Sequence, residues 1–351
     1  MFELVQLAKK QKGVYPKKAS WRLHDLHSCD VMWIKLEMPV EVSIVIPIRD
    51  EKDSYISECL ASLKETTFSG KFEVIVIKGG NRSQARNFGI KLARGEIIVF
   101  IDSDCKASRD WLSLLVSNLK QSSTLGGVGG INVSPSDDSI LGKAVDLVFS
   151  SYLGSLGSAS LHKPSKPKFV NALACINSAF WRKVLLETGG FDEEFELCED
   201  TNLSYKVRAL GYKLLLVPSI CVEHHRRSTI KQFAKQFFLY GVGRMRSILT
   251  NRSYANKGAI VPFVGVLLFP FVAWFFPFIA LVLLAIYLIT ILLKGLQAVI
   301  KMKEVRFLFL VPLLFVIEHS SYFIGMIYGI KKGKWKRKDA PCEIFYHWVS
   351  K

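Results

Sequence analysis

Paired cysteines, phosphate loops and nucleophile elbows are all missing from this 351-residue sequence. Its cysteines, at positions 29, 59, 105, 175, 198, 221 and 342, are odd in number and scattered, with no C-x-x-C spacing. That excludes a zinc ribbon or a disulfide framework and fits reduced thiols in a cytoplasmic compartment. His24, His27 and Cys29 lie close together, but no fourth ligand is spaced to complete a metal site. No G-x-x-x-x-G-K-[ST] or G-x-S-x-G string occurs, which excludes a P-loop enzyme and an α/β-hydrolase. The opening MFELVQLAKKQKG lacks the long apolar core and small-residue cleavage site of a secretory signal.

Charge is absent from Gly258 to Leu293, and a second apolar run, Phe307 to Ile330, is interrupted only by Glu318 and His319. Both exceed the roughly 18-residue threshold for a membrane helix. Acids are scarce: 30 Asp and Glu stand against 47 Lys and Arg, a formal net charge of +17. The excess brackets the apolar runs. Arg226 to Lys257 carries basic residues and no acid, and Lys331 to Lys338 is basic again. Basic flanks of this kind mark the cytoplasmic side of membrane segments and attract anionic headgroups, so membrane lipid is the expected partner and nucleic acid is not. No obligate protein partner is expected.

What is present upstream is an alternation of strand and helix signals. VSIVIPI (42–48), FEVIVI (72–77) and EIIVFI (96–101) are apolar, β-branched runs suited to strands buried on both faces. Helical patterns over 55–66, 83–93 and 109–119 separate and follow them. This order predicts an α/β fold, a mostly parallel Rossmann-like sheet with helices on both faces. Further strands are expected at 127–133, 172–176 and 214–222, and helices at 180–188 and 199–211. Ile230, Phe233, Phe237 and Phe238 share a face of a basic helix over 230–248. That pattern suits the membrane interface or an ordinary amphipathic helix packed on the sheet.

The densest chemistry is EIIVFIDSD (96–104), where Asp102 and Asp104 follow a buried strand. Ligands bind at the carboxyl ends of strands in open α/β sheets, and two aspartates there can hold a hard divalent cation. Helix capping is the alternative use of such residues. Around this motif, VIPI ends at Ile48, ARN stands at 85–87 and GGFDEEFELCED closes at 189–200.

In that order, these motifs resemble the family 2 glycosyltransferases, which have a GT-A nucleotide-sugar-binding fold. The resemblance covers roughly residues 41 to 250. It implies that Asp102 and Asp104 hold a nucleotide diphosphate through Mn²⁺ or Mg²⁺, with Pro47, Arg86 and Asn87 on the donor side. It implies Asp200 as the catalytic base, with Glu199 beside it on the acceptor side. His224, or His225 next to it, falls where some GT-A enzymes place a further metal ligand. The chemistry is consistent: the departing diphosphate needs neutralising charge, and an acceptor hydroxyl needs a base.

Two departures stand out. Most family members carry another βα unit before the ARN helix and a base-reading aspartate. Here Ile77 runs through Lys78-Gly79-Gly80-Asn81-Arg82 almost directly into Ala85-Arg86-Asn87, leaving Asp50 or backbone near Pro47 as substitutes. The QxxRW motif of processive relatives is also missing, since no Arg-Trp dipeptide occurs.

The expected organisation is an N-terminal extension (1–40), a catalytic domain (41–228) and a basic amphipathic interface helix (229–257). A transmembrane region follows over 258–330, as a hairpin at 258–293 and a further segment at 305–330, then a basic cytoplasmic tail (331–351). The expected activity is non-processive, inverting transfer from a nucleotide-sugar donor to a polyprenyl lipid-linked glycan, in cell-surface polysaccharide or glycoprotein glycan assembly. The catalytic domain would face the cytoplasm from a multi-pass membrane anchor. The alternatives are a polyprenyl-phosphate sugar synthase and a catalytically silent module. A nucleotidyltransferase would want a glycine-rich phosphate loop that VIPIRDEKDS does not provide.

Overall fold

The computed structural model describes residues 40–49, 55–155, 164–255, 257–333 and 340–350. Asp50, the 24–29 cluster and residues 334–339 of the basic tail lie outside them.

Three parallel strands form the first half of the sheet. β1 (Val42–Ile48) is followed by α1 (Ile56–Lys64), β2 (Phe72–Gly79), α2 (Arg82–Leu92) and β3 (Ile97–Ile101). β1 lies between β2 and β3, parallel to both. Alternation along β1 feeds two cores. Val42, Ile44 and Ile46 pack with Leu63, Trp111 and Leu115 on one face, and Val45 packs with Ile90, Phe100 and Leu203 on the other. Helices therefore cover both faces, as the uninterrupted apolar strands require.

The second half is mixed. It contains β4 (Cys105–Ala107), α3 (Trp111–Leu119), β5 (Leu125–Val133), α4 (Ile140–Phe149) and α5 (Tyr152–Ser155). Then come β6 (Lys168–Phe169), β7 (Asn177–Trp181), α6 (Arg182–Glu187), α7 (Glu199–Ala209) and β8 (Lys213–His224). The sheet order is β4-β8-β5-β7-β3-β1-β2, with β6 on β8. β5 and β8 are parallel, but β7 is antiparallel to both β3 and β5, and β4 and β6 are antiparallel to β8. The expected mostly parallel sheet is thus corrected to a mixed one. The chain leaves β5 at its carboxyl edge, forms α4 and α5, and re-enters from that edge, so β7 must run the other way. The strand expected at 172–176 lies at 177–181, and the following helix starts at Arg182.

The rest is helical until the last strand. α8 (Ile230–Thr250), α9 (Lys257–Phe275), α10 (Pro277–Met302) and α11 (Phe307–Lys332) are followed by β9 (Cys342–Val349). Phe233 and Phe237 of α8 pack with Phe149 of α4 and with Phe307, Val311 and Phe315 of α11. The chain breaks between α9 and α10 at Phe276, with Pro277 opening α10, within the expected 258–293 hairpin. Both α10 and α11 are long and apolar enough to cross a membrane, and α9 is a shorter apolar helix. Trp274 is 81% exposed and Phe278 77%, so the apolar surface near this break is uncovered by protein. Glu318 is fully buried, and neither carboxylate oxygen has a hydrogen-bond partner among the described residues.

β9 corrects the expected 331–351 tail. It joins the outer edge of β2, antiparallel, with Cys342 opposite Gly79 and Val349 opposite Glu73. His347 hydrogen-bonds the buried Glu73 carboxylate at 2.8 Å, and Lys78 pairs with Glu343 at 3.2 Å. The sheet edge beside the shortened β2–α2 connection is thereby closed by the C-terminal strand.

Candidate active site

Asp102 and Asp104 follow the end of β3, both half-buried. Arg86, on the second turn of α2, lies behind them. Its two terminal nitrogens donate to Asp102 Oδ1 at 3.0 Å and to Glu199 Oε1 at 2.8 Å. Burial opposes the guanidinium charge, but the surrounding carboxylates hold it protonated. One fully buried cation therefore fixes the DSD turn relative to the start of α7.

Asp104 meets a different partner. β4 pairs with the end of β8, setting Cys105 opposite His224. His224 Nε2 lies 3.4 Å from Asp104 Oδ2. Burial raises the Asp104 pKa, but the His224 hydrogen bond and charge outweigh it and hold the carboxyl at about 2. Asp104, Cys105 and His224 bring potential ligand atoms within 4.8 Å of one another. An oxygen–nitrogen pair from Asp104 and His224 fits a divalent cation. Cys105 suits a hard cation poorly because its sulfur is a soft ligand, and burial pushes its thiol pKa well up. Arg226 lies 3.3 Å from His224 Nδ1, which leaves Nε2 as the ring nitrogen turned to Asp104. His225 turns elsewhere, stacking on Tyr55 and lying 3.6 Å from Glu58.

Asp200 is the second residue of α7. The N-cap is Cys198, in a left-handed conformation (φ 64°) and with no side-chain cap bond, so capping does not explain Asp200. Asp200 Oδ1 accepts from the Thr201 amide at 2.7 Å. Burial, and then the neighbouring Glu199 charge, raise its pKa to about 6, against the lowering effect of Arg86. A carboxylate poised there can be ionised yet basic near neutral pH.

Two expected site residues are otherwise engaged. Asn87 is a clamp: it donates to Phe191 O at 2.8 Å and Glu193 Oε1 at 3.0 Å, and accepts from the Phe191 amide at 2.8 Å. Its amide fixes the GGFDEE loop. Glu199, expected on the acceptor side, is 5% exposed and held by Arg86. Pro47 is half-buried near the end of β1, level with Ile77.

A family model described as "Glycosyl transferase family group 2" matches residues 97–293. The chain belongs to this family of glycosyltransferases. The glycosyltransferase is 25% identical over 323 residues to a dolichyl N-acetyl-α-D-glucosaminyl phosphate 3-β-D-2,3-diacetamido-2,3-dideoxy-β-D-glucuronosyltransferase of Methanococcus voltae, covering 87% of this chain and 92% of that one. It is 24% identical over 183 residues to the poly-β-1,6-N-acetyl-D-glucosamine synthase of Staphylococcus aureus strain COL, covering 52% of this chain and 43% of the synthase. Its fold is similar to the mannosyltransferase PcManGT of Pyrobaculum calidifontis, solved with GDP-Man and Mn²⁺, with a TM-score of 0.53 and 14% identity over 87% of this chain and 93% of that one. The fold is GT-A.

The glycosyltransferase also gathers residues that its motifs do not announce. Arg82 opens α2 beside Asp102, whose charge raises the Arg82 pKa. Arg227, just past β8, acts on Asp104. Tyr240 of α8 lies near both arginines and accepts from Gln236 at 2.9 Å. Arg244, one turn further, acts on Asp200. The basic character of 226–257 was legible, but which of its cations face the site depends on how α8 docks.

Proposed function

We propose that this glycosyltransferase moves a sugar, with inversion, from a nucleotide-diphosphate sugar to a hydroxyl of a lipid-linked acceptor at a membrane surface. The observation that carries it is the juxtaposition of Asp200, its pKa raised to about 6, with the Asp102–Arg86–Glu199 network that also fixes the DSD turn. The acceptor hydroxyl gives its proton to Asp200 as its oxygen bonds to the anomeric carbon. The bond to the diphosphate oxygen breaks, and its electron pair leaves with the nucleoside diphosphate. Arg82 and Arg227 lie where they can face that departing charge. Asp104 and His224 would hold Mn²⁺ or Mg²⁺, which supplies further positive charge to the diphosphate when bound. Asp102, taken by Arg86 on one oxygen, keeps its other oxygen for the donor or the cation.

The acceptor class is supported by the M. voltae relative, whose name gives a sugar on a dolichyl phosphate. A sugar hydroxyl needs a base, which suits Asp200. A bare lipid phosphate would not need one.

The return of the chain to the sheet supports a membrane hairpin. It leaves the sheet after β8 and rejoins it at β9, so any crossings between them are even in number. About 28 Å of α9 and about 39 Å of α10, at 1.5 Å per residue, suit a hairpin across a core of about 30 Å. α11 packs along α8 and α4 and stays on the catalytic side. The positive-inside rule then sets the catalytic domain in the cytoplasm.

The test is a mass-spectrometric screen of the purified full chain. It pairs a panel of nucleotide-sugars with polyprenyl-phosphate-linked monosaccharides, with and without chelator. Sugar addition to a lipid-linked acceptor that chelation abolishes is expected. Nucleotide-sugars left intact across the panel, with metal present, would identify a silent module instead.

A further inference from the structure

α8 touches the catalytic loop on one side and α11 on the other, and glycines make both contacts close. A Cβ on Gly243 would sit 2.7 Å from Leu197 Cβ and 3.3 Å from Cys198 Sγ, in the loop that leads into Asp200. Gly241 presses on the α11 backbone at Tyr322 and Met326, and Gly325 of α11 presses on the backbone at Phe238. Larger side chains would force these elements apart.

Arg244 is carried into the seam so formed. It is half-buried, donates to the Tyr322 hydroxyl of α11 and acts on the charge of Asp200. From α11 to the base, the order is apolar helix, Tyr322, Arg244, Asp200. A lipid-linked acceptor has the same order: apolar tail, phosphate, sugar hydroxyl. With its tail along the apolar helices and its hydroxyl at Asp200, such an acceptor brings its phosphate to the guanidinium. Arg presents a planar fork of N–H donors that matches phosphate oxygens. The Tyr322 hydroxyl holds that fork in place from the membrane side.

We propose that Arg244 binds the phosphate of the lipid-linked acceptor, an inference that rests on the acceptor class proposed above.

The test uses the full chain in detergent micelles, with the nucleotide-sugar it turns over. It compares a monosaccharide on polyprenyl phosphate with the same monosaccharide on an uncharged alkyl chain. The parent should prefer the phosphate-bearing acceptor. Arg244→Gln should raise the KM for that acceptor by about tenfold or more, the loss expected for a hydrogen bond to a charged group, and should erase the preference. Arg244→Lys should fall between the two. An Arg244→Gln enzyme that keeps the parental preference overturns the inference and leaves the proposed function standing. Nucleotide binding reports whether the variant has folded. If it has not, Tyr322→Phe decides: a raised acceptor KM supports the assignment and a parental one overturns it. A parent that hydrolyses its donor yet transfers to no phosphate-linked lipid removes the acceptor class, and this inference with it.

Discussion

Asp104 and His224 come together only because β4 folds back on the end of β8. The DSD motif was visible because its two carboxylates follow a strand of five apolar residues. Their division of labour was not: Asp102 is turned to Arg86, and Asp104 to His224. His224 was separable from His225 only once the β4–β8 register put one imidazole against Asp104 and the other against Glu58. Asp104→Ala and His224→Ala should each weaken Mn²⁺-supported binding of the nucleoside diphosphate by at least about tenfold. That is the lower end of the loss seen when outer partners of metal ligands are removed. His225→Ala should leave the affinity unchanged. Titration calorimetry with the metal present checks this, and a loss in His225→Ala without one in His224→Ala would contradict the assignment. Asn87 and Glu199 carry another lesson. Both sit in family motifs, yet their polar atoms hold protein. A motif fixes where a residue stands in the chain, but neighbours decide what its side chain holds.

Among the elements, the first three strands were legible because each is an apolar run between turn signals. β7 was not, because NSAFW contains no β-branched residue and gains its strand conformation from β3 and β5 on either side. β9 was hidden for a different reason. Its partner lies at the other end of the chain, and the basic run before it suggested a tail. Its anchor is Glu73, a buried carboxylate that accepts from His347, Ser43 and Arg94. Burial pushes its pKa up, but those hydrogen bonds hold it at about 2, below the ordinary 4.5. A depressed folded pKa means stabilisation that is present above pH 4.5 and lost as pH falls towards 2. Glu73→Gln should therefore loosen β9 at neutral pH. Amide hydrogen exchange across 342–349 should quicken by about tenfold or more, in line with the loss of hydrogen bonds to a charged group. Parental protection there would show that the strand is held by its ladder alone.

For the whole molecule, the pairing of β9 with β2 ties the C-terminal strand to the same side as the catalytic sheet. Cysteine substitution with a membrane-impermeant reagent on intact cells tests the resulting topology. Phe276→Cys, at the helix break, should be labelled, whereas Lys120→Cys and Ser350→Cys should not. Labelling at Lys120 would invert the orientation. The central claim is that Asp200 takes the proton of the acceptor hydroxyl, and the most direct measurement is the transfer rate of Asp200→Asn against pH. The parental rate should fall about tenfold per pH unit below about 6, where the carboxylate protonates. The variant should bind the nucleotide normally, lose about 10²–10⁴-fold in transfer and show no such pH step. An Asp200→Asn enzyme that glycosylates a hydroxyl acceptor at the parental rate would contradict the account.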